Sequence, residues 1–127
     1  MSAFLKPAPT PTAESSVLTK ATLRAAERLG LAANALSGII GLSEASLSRM
    51  RSGRLALEPG SKPFELALLL VRLFRSLDAI TGGDETVARA WLDNDNLALG
   101  GKPSVKIRTI SGLMDTLAYL DARRALV

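Results

Sequence analysis

Residues 33–53 read ANALSGIIGLSEASLSRMRSG and place two short helical segments around one glycine. The apolar residues of the first segment, predicted over residues 32–40, share one helix face: Leu36, Ile39 and Ile40. Gly41 can adopt the left-handed backbone that a tight bend between helices requires. Ser43 is a typical N-cap, and the second segment is predicted to continue to about Ser52.

Helical spacing recurs on both sides of this stretch. Upstream, an apolar stripe ends at Gly30, a typical C-terminal glycine of a helix. The stripe consists of Leu18, Ala21, Ala25 and Leu29. Downstream, residues 61–80 predict a fourth helix with Pro63 in its first turn, where a missing N–H is tolerated. Because no alternation of four or more residues predicts a strand, the expected fold class is all-α.

The fourth helix is apolar on more than one side. Its sequence over residues 64–80, FELALLLVRLFRSLDAI, has more apolar surface than three short helices can cover. We expect it to pack against both the helix–turn–helix and the C-terminal region, with a dimer seam as the alternative. Four charged residues interrupt this run, which makes it too polar for a membrane span and favours a cytoplasmic protein.

The C-terminal part predicts two further helices. Residues 81–83 end the fourth helix, and Asp84 can cap the next one. The apolar residues of this fifth helix are expected to face inward: Val87, Ala88, Trp91 and Leu92. The last helix is predicted from Ser111 to about Leu126, with leucines at helical spacing. The conformation of residues 104–110, SVKIRTI, is left open because charges interrupt its apolar pattern.

The composition excludes most familiar catalytic centres. The 127 residues include no Cys and no His, which removes thiol nucleophiles, imidazole bases and zinc sites built from these residues. A calcium loop that starts at Asp93 would need Gly at position 98 and Glu at position 104, where the chain has Ala98 and Ser104. We therefore predict a protein that is not an enzyme and that uses no metal and no cofactor.

The positive charge lies in the first two thirds of the chain. Residues 1–80 carry ten basic and six acidic side chains, whereas residues 81–127 carry six of each. This distribution favours a front part that binds a polyanion and a neutral rear part that is available to a protein partner. Residues 1–16, with three prolines between positions 7 and 11, predict an extended, exposed arm rather than a signal peptide.

Residues 33–53 resemble the helix–turn–helix of the Xre-type repressors. That family has a small residue four positions before the turn glycine and an aliphatic residue six positions after it. Ser37 and Leu47 stand at these positions on either side of Gly41. The resemblance implies that the second helix of the motif lies in the major groove of DNA.

The outward side of that second helix carries the predicted contacts to DNA. Small side chains would let the helix approach closely, and guanidinium groups would reach guanine edges or phosphates. The predicted DNA-binding residues are Ser43, Glu44, Ala45, Ser48, Arg49, Arg51, Ser52 and Arg54. The alternative is an ordinary solvated helix face, on which Glu44 would repel phosphate.

Residues 90–103, AWLDNDNLALGGKP, resemble the signature of the toxin-binding domain at the C-terminus of the MbcA/ParS/Xre antitoxins. The matching positions are Trp91, Leu92, Asn96, Leu97, Leu99, Gly100, Gly101, Lys102, Pro103 and Gly112. We expect Trp91 and the paired glycines to shape this domain, because a large apolar anchor and residues that permit positive φ have structural roles. Exposed residues nearby are then expected to contact the partner.

The resemblance implies that the partner is a RES-domain toxin that degrades NAD and that the C-terminal region obstructs its active site. The predicted toxin-binding residues are Asn96, Lys102, Arg123, Arg124 and Leu126. The two arginines have an alternative role, since cations at a helix C-terminus complement the helix dipole.

Together these features predict an arm over residues 1–16, an Xre-like helix–turn–helix domain over residues 17–80 and a toxin-binding domain over residues 81–127. The leading hypothesis is an antitoxin that neutralises its toxin by direct contact and represses its own promoter as a homodimer. One alternative is a stand-alone transcriptional regulator whose C-terminal half dimerises. Another is a helical adaptor that binds no DNA.

Overall fold

The computed structural model describes residues 12–126, which form seven α-helices and contain no β-strand. The helices are α1 (Ala13–Leu29), α2 (Ala33–Ile40), α3 (Glu44–Arg51), α4 (Lys62–Thr81), α5 (Glu85–Asp93), α6 (Pro103–Lys106) and α7 (Ile110–Arg124). The prediction of an all-α fold is confirmed.

The first helix begins inside the predicted arm. Thr12 is its N-cap, and the Thr12 hydroxyl accepts the backbone N–H of Ser15 at 3.0 Å. Residues 13–16 are helical, so the prediction of an extended arm is wrong for these four residues; Ser15 is also buried, whereas Ala13 and Glu14 are exposed. The rest of that prediction falls on residues 1–11, which lie outside the described residues.

Long-range hydrogen bonds explain why the first turn of α1 is ordered. The Ser15 hydroxyl donates to the backbone carbonyl of Leu57, in the loop between α3 and α4. One turn later, the Thr19 hydroxyl accepts the N–H of Leu57 at 2.9 Å and donates to the carbonyl of Ser15 at 2.7 Å. Both polar groups of Leu57 are thus satisfied although the residue is buried. These contacts fix the loop that follows α3.

Helices α2 and α3 form the predicted helix–turn–helix. Gly41 ends α2 with φ +73°, a left-handed conformation that costs a glycine little. Leu36 of α2 and Leu47 of α3 are fully buried, and both belong to the core. The turn therefore sets the direction of α3 while the two leucines anchor it from the inside.

Helix α4 lies at the centre of the molecule. The Ser61 hydroxyl caps it, and Pro63 stands in its first turn, as predicted. It packs against α1, α2, α5 and α7. Its buried residues are Phe64, Ala67, Leu70, Val71, Leu73, Ser76 and Leu77. Contacts within the chain therefore cover most of the apolar surface of α4, whereas Leu68 stays 43% exposed.

Helix α5 buries a narrower face than its sequence predicts. Ala88 and Leu92 are buried, but Val87 is 49% exposed, so its predicted inward orientation is wrong. The reason is that α5 lies at the edge of the bundle, where it packs against α1, α4 and α6 and leaves Val87 on the side that faces solvent. Arg89 completes that contact, donating from Nε to the carbonyl of Arg28 at 3.1 Å and from Nη2 to the carbonyl of Glu27 at 2.9 Å.

The segment after Pro103 forms the short helix α6, which packs closely against α7. Thr109 caps α7, its hydroxyl accepting the N–H of Gly112 at 3.1 Å. Gly112 leaves no room for a side chain, because a Cβ atom there would lie 1.9 Å from the backbone oxygen of Lys106. Because Gly112 has no side chain, α6 and α7 can pack closely at this position.

The two predicted domains share one hydrophobic core. A single cluster of buried residues extends from Leu18 in α1 to Leu120 in α7. A polar contact lies beside it, where Asp121 of α7 accepts the hydroxyl of Ser76 at 2.8 Å and pairs with Arg72 at 3.1 Å. Because Ser76 is buried, its hydroxyl depends on this acceptor. Helix α4 thus connects the helix–turn–helix to the C-terminal helices.

Candidate functional site

Helix α3 presents a short polar face to solvent. Ser43 is its N-cap, and the Ser43 hydroxyl accepts the N–H of Ser46 at 3.1 Å. Leu47 and Met50 are buried on the inner side. All eight predicted DNA-binding residues are exposed: Ser43, Glu44, Ala45, Ser48, Arg49, Arg51, Ser52 and Arg54. The structure therefore places them together on α3 and on the turn that follows it.

Serine hydroxyls orient two of the three arginines on this face. Arg49 donates from Nη2 to the Ser46 hydroxyl at 3.1 Å, and Arg54 donates from Nε to the Ser52 hydroxyl at 3.0 Å. In the described part of the chain, no carboxylate lies within salt-bridge distance of Arg49, Arg51 or Arg54. Their charges are available to an external anion. Sequence reasoning missed Ser46, although its position three residues before Arg49 is a signal for such a contact.

Glu44 is the single acidic residue on this face. It lies in the first turn of α3, where a carboxylate interacts favourably with the positive end of the helix dipole. This gives Glu44 a structural explanation that does not require a contact with DNA. The face as a whole keeps a positive balance, because three arginines outnumber one glutamate.

The side chain of Ser37 stabilises the turn between α2 and α3. Its hydroxyl donates to the backbone carbonyl of Leu42, directly after the turn glycine. An alanine at this position would leave that partly buried carbonyl without this donor. Ser37 is thus small enough for the helix crossing and also satisfies a backbone group that the turn leaves free.

Asn96 organises the loop between α5 and α6. Its backbone N–H donates to Gly101 at 3.0 Å, and its carbonyl accepts from Gly100 at 2.9 Å. Its side-chain oxygen accepts the N–H of Leu99 at 3.2 Å. Gly100 has φ +76°, which a glycine adopts readily. These contacts give Asn96 a structural role in the loop, and a contact of its side chain with a toxin stays a prediction.

An aromatic stack connects α5 to α7. The rings of Trp91 and Tyr119 lie 6.2 Å apart between centroids at an angle of 21°. The guanidinium of Arg123 lies 5.0 Å from the centroid of the Tyr119 ring, in cation–π distance. Tyr119 was not predicted from the sequence, because a single tyrosine on a helix carries no signal for its partner.

The predicted toxin-binding residues fall into two groups. Lys102 is exposed at the start of α6, which leads into the N-terminal end of α7. Arg123, Arg124 and Leu126 are exposed at the other end of α7, and Leu126 is 88% exposed. A helix of 15 residues spans about 22 Å, so the structure does not bring the two groups into one cluster.

Several further apolar side chains of the C-terminal part are exposed, and sequence reasoning singled out only Leu97 among them, as a position of the family signature. Leu97 at the tip of the Asn96 loop is 100% exposed. Val105, Ile110 and Met114 are 61%, 65% and 46% exposed. Exposed apolar side chains that occur close together are typical of interaction surfaces. In the sequence these apolar residues look like the core leucines of α7. Only their exposure in the folded chain distinguishes them from those buried leucines.

The described residues show no cluster of three or more Cys, His, Asp or Glu that could hold a metal ion. None of the helices in this part of the chain has both the length and the apolar character that a bilayer crossing requires.

Two family models match the chain. The model of the antitoxin Xre-like helix-turn-helix domain matches residues 8–72, and the model of the antitoxin Xre/MbcA/ParS C-terminal toxin-binding domain matches residues 76–125. A comparison with curated proteins found no match. The two matched regions meet within α4, the helix that both units share. The chain therefore belongs to the Xre/MbcA/ParS family of antitoxins, with a helix–turn–helix unit followed by a toxin-binding unit.

Proposed function

We propose that this antitoxin binds and neutralises a RES-domain toxin that degrades NAD, and that it represses its own promoter through α3. Its C-terminal unit contacts the toxin, and a homodimer of the chain binds the operator. The proposal is carried by one observation: the eight predicted DNA-binding residues are all exposed on a unit that shares its core with a toxin-binding domain.

The dimensions of α3 suit the major groove. An α-helix with its side chains has a diameter of about 10–12 Å, close to the groove width of about 12 Å. Ala45 and Ser48 have short side chains, so the helix axis can come near the base edges. Arg49 and Arg54 are then in reach of guanine edges or phosphates, with orientations that Ser46 and Ser52 support. Two such helices in a dimer read half-sites about 34 Å apart, or a multiple of that distance.

The end of α7 supplies a contact with the toxin. Arg123 is held over Tyr119, whereas Arg124 and Leu126 extend beyond it into solvent. A guanidinium binds carboxylates bidentately. We therefore expect Arg124 to pair with a carboxylate in the toxin's active-site cleft, since cations that bind the pyrophosphate of NAD would repel it.

In this proposal the protein acts in the cytoplasm by binding, and it catalyses no reaction. Neutralisation requires only that the complex is tight enough to keep the toxin occupied at cellular concentrations. Repression likewise requires occupancy of the operator.

The proposal is tested by purifying the tagged chain from its native cell together with its bound partners. The expected partner is the product of the adjacent reading frame, and the isolated product should hydrolyse NAD until this chain is added. A DNA fragment from upstream of the two reading frames should bind the same preparation. Recovery of the chain alone, with no adjacent product and no effect on NAD hydrolysis, would contradict the antitoxin proposal.

A further inference from the structure

We propose that the toxin docks on the α6–α7 face, whose apolar centre consists of Val105, Ile110 and Met114. Three cations surround this centre and pair with carboxylates of the toxin: Lys102, Lys106 and Arg108. The inference rests on the proposed function and adds to it a second contact, separate from the tail at the other end of α7.

The apolar side chains of this face are not needed by the fold. Ile110 and Met114 are 65% and 46% exposed, and they stand four residues apart, on the same side of α7. The opposite side of α7 packs into the core through Leu113 and Leu117. A helix that covers one face of a monomer normally has a polar outer side. Exposed apolar residues on that outer side therefore indicate an external partner.

The face is held in a fixed shape. The N–H of Val105 donates to the carbonyl of Lys102 at 3.0 Å, and the N–H of Arg108 donates to the carbonyl of Val105 at 3.2 Å. The close approach of Gly112 to Lys106 fixes α6 against α7. Because these backbone contacts exist before any partner binds, little ordering of the surface is needed on association.

The charge around the apolar centre is mostly positive, and exposed Asp115, next to Met114, is the acidic residue directly beside it. Residues 96–114 contain three cations and no Asp or Glu. Within the described part of the chain, none of these three cations lies within salt-bridge distance of a carboxylate. Lys102 and Arg108 stand three residues before and three residues after Val105, and backbone hydrogen bonds join Val105 to both. A matching partner therefore has an apolar depression with carboxylates at its rim.

The same charge argues against a second copy of this chain as the occupant. In a two-fold interface the same patch meets itself. The cations of one copy would then approach those of the other, and the carboxylate of Asp115 beside the patch would compensate only one of the three cations. A toxin of complementary charge fits this face better than self-association does.

The test measures binding of the purified product of the adjacent reading frame to immobilised chain by biolayer interferometry. Ile110→Glu and Met114→Glu should each weaken binding by about 100-fold, because a carboxylate replaces an apolar contact at the centre of the interface. Ile110 is the first residue of α7 and Met114 is exposed, so glutamate is compatible with the helix at both positions. The matched control is Val87→Glu on α5, where valine is 49% exposed, and it should bind within about threefold of the parent.

The role of the cations around the apolar centre is tested by a variant that combines Lys102→Glu with Arg108→Glu. This variant should associate at least about tenfold more slowly at low salt, and the difference should shrink as salt is added. If Ile110→Glu and Met114→Glu bind like the parent, the docking surface is wrong although the antitoxin function stands. If they instead dissociate a dimer of the chain and leave toxin binding unchanged, the face is a self-interface and the inference is overturned. If the parent chain does not bind at all, the proposed function itself fails.

Discussion

Replacement of Gly112 by alanine tests the packing of α6 against α7 most sharply. A Cβ atom at this position would lie 1.9 Å from the backbone oxygen of Lys106, 2.7 Å from its carbonyl carbon and 2.9 Å from the Thr109 hydroxyl. Carbon and carbonyl oxygen in weak contact are about 3.3–3.6 Å apart. The turn between α6 and α7 must therefore move by about 1.4 Å, against buried Ile107 and Leu113.

The expected loss of stability follows from two opposing contributions. Overpacking of this kind costs about 1–3 kcal/mol, and the upper end applies here because the opposing atoms are backbone and cannot rotate away. Alanine is more favourable than glycine inside a helix by about 0.5–1 kcal/mol, and this gain in stability offsets part of the overpacking cost. Gly112→Ala should thus destabilise the fold by about 2 kcal/mol, which lowers the melting temperature by about 6–10 °C for a chain of this size.

Thermal unfolding followed by circular dichroism measures this effect. The control is Gly38→Ala in α2, where a Cβ atom would meet only the Arg108 side chain at 4.0 Å. Gly38→Ala gains the helix preference of alanine, and its Cβ atom overlaps with no neighbouring atom. It should therefore stabilise the protein by about 0.5–1 kcal/mol. A Gly112→Ala variant that melts at or above the temperature of the parent would refute the close approach of α6 and α7.

Three further predictions concern the binding surfaces and the contact between α4 and α7. Arg49→Ala and Arg54→Ala should each weaken binding to the upstream DNA fragment about tenfold, and the salt slope should fall by about 0.9 for each lost phosphate contact in anisotropy titrations. Parent-like DNA binding by both variants would show that the assigned face is wrong. Arg124→Ala, co-expressed with the toxin, should restore growth arrest, and unchanged protection would remove the tail from the mechanism. Asp121→Ala should cost about 1–3 kcal/mol in urea unfolding, because the buried Ser76 hydroxyl loses its acceptor, and an unchanged unfolding midpoint would contradict that role.

Local sequence signals predicted the helix–turn–helix well. Its two helices, the left-handed Gly41 and the buried Leu47 all follow from spacing and from the conformational freedom of glycine. The structural role of Trp91 was predicted for the same kind of reason, since a large apolar side chain at helical spacing anchors a helix. These features depend on residues that are close together in the sequence.

The features that sequence reasoning missed depend on residues that are far apart. Ser15 looked like part of an arm, because its acceptor, the carbonyl of Leu57, lies 42 positions away. Val87 fits the apolar pattern of α5, but only the position of α5 at the edge of the bundle shows that this residue is exposed. The same holds for Ile110 and Met114, whose exposure depends on which side of α7 meets α4. The eight residues of the α3 face were predicted as a group, and their exposure agrees with that prediction without testing DNA contact.

The measurement that tests the central claim most directly is the growth of cells that express the adjacent reading frame, with and without this chain. The parent chain should restore growth, and so should a variant that carries both Arg49→Ala and Arg54→Ala and is expressed from an unrelated promoter. That result would show that the C-terminal unit neutralises the toxin independently of the α3 face. Growth arrest that persists in the presence of the folded parent chain would contradict the assignment of toxin neutralisation to this protein.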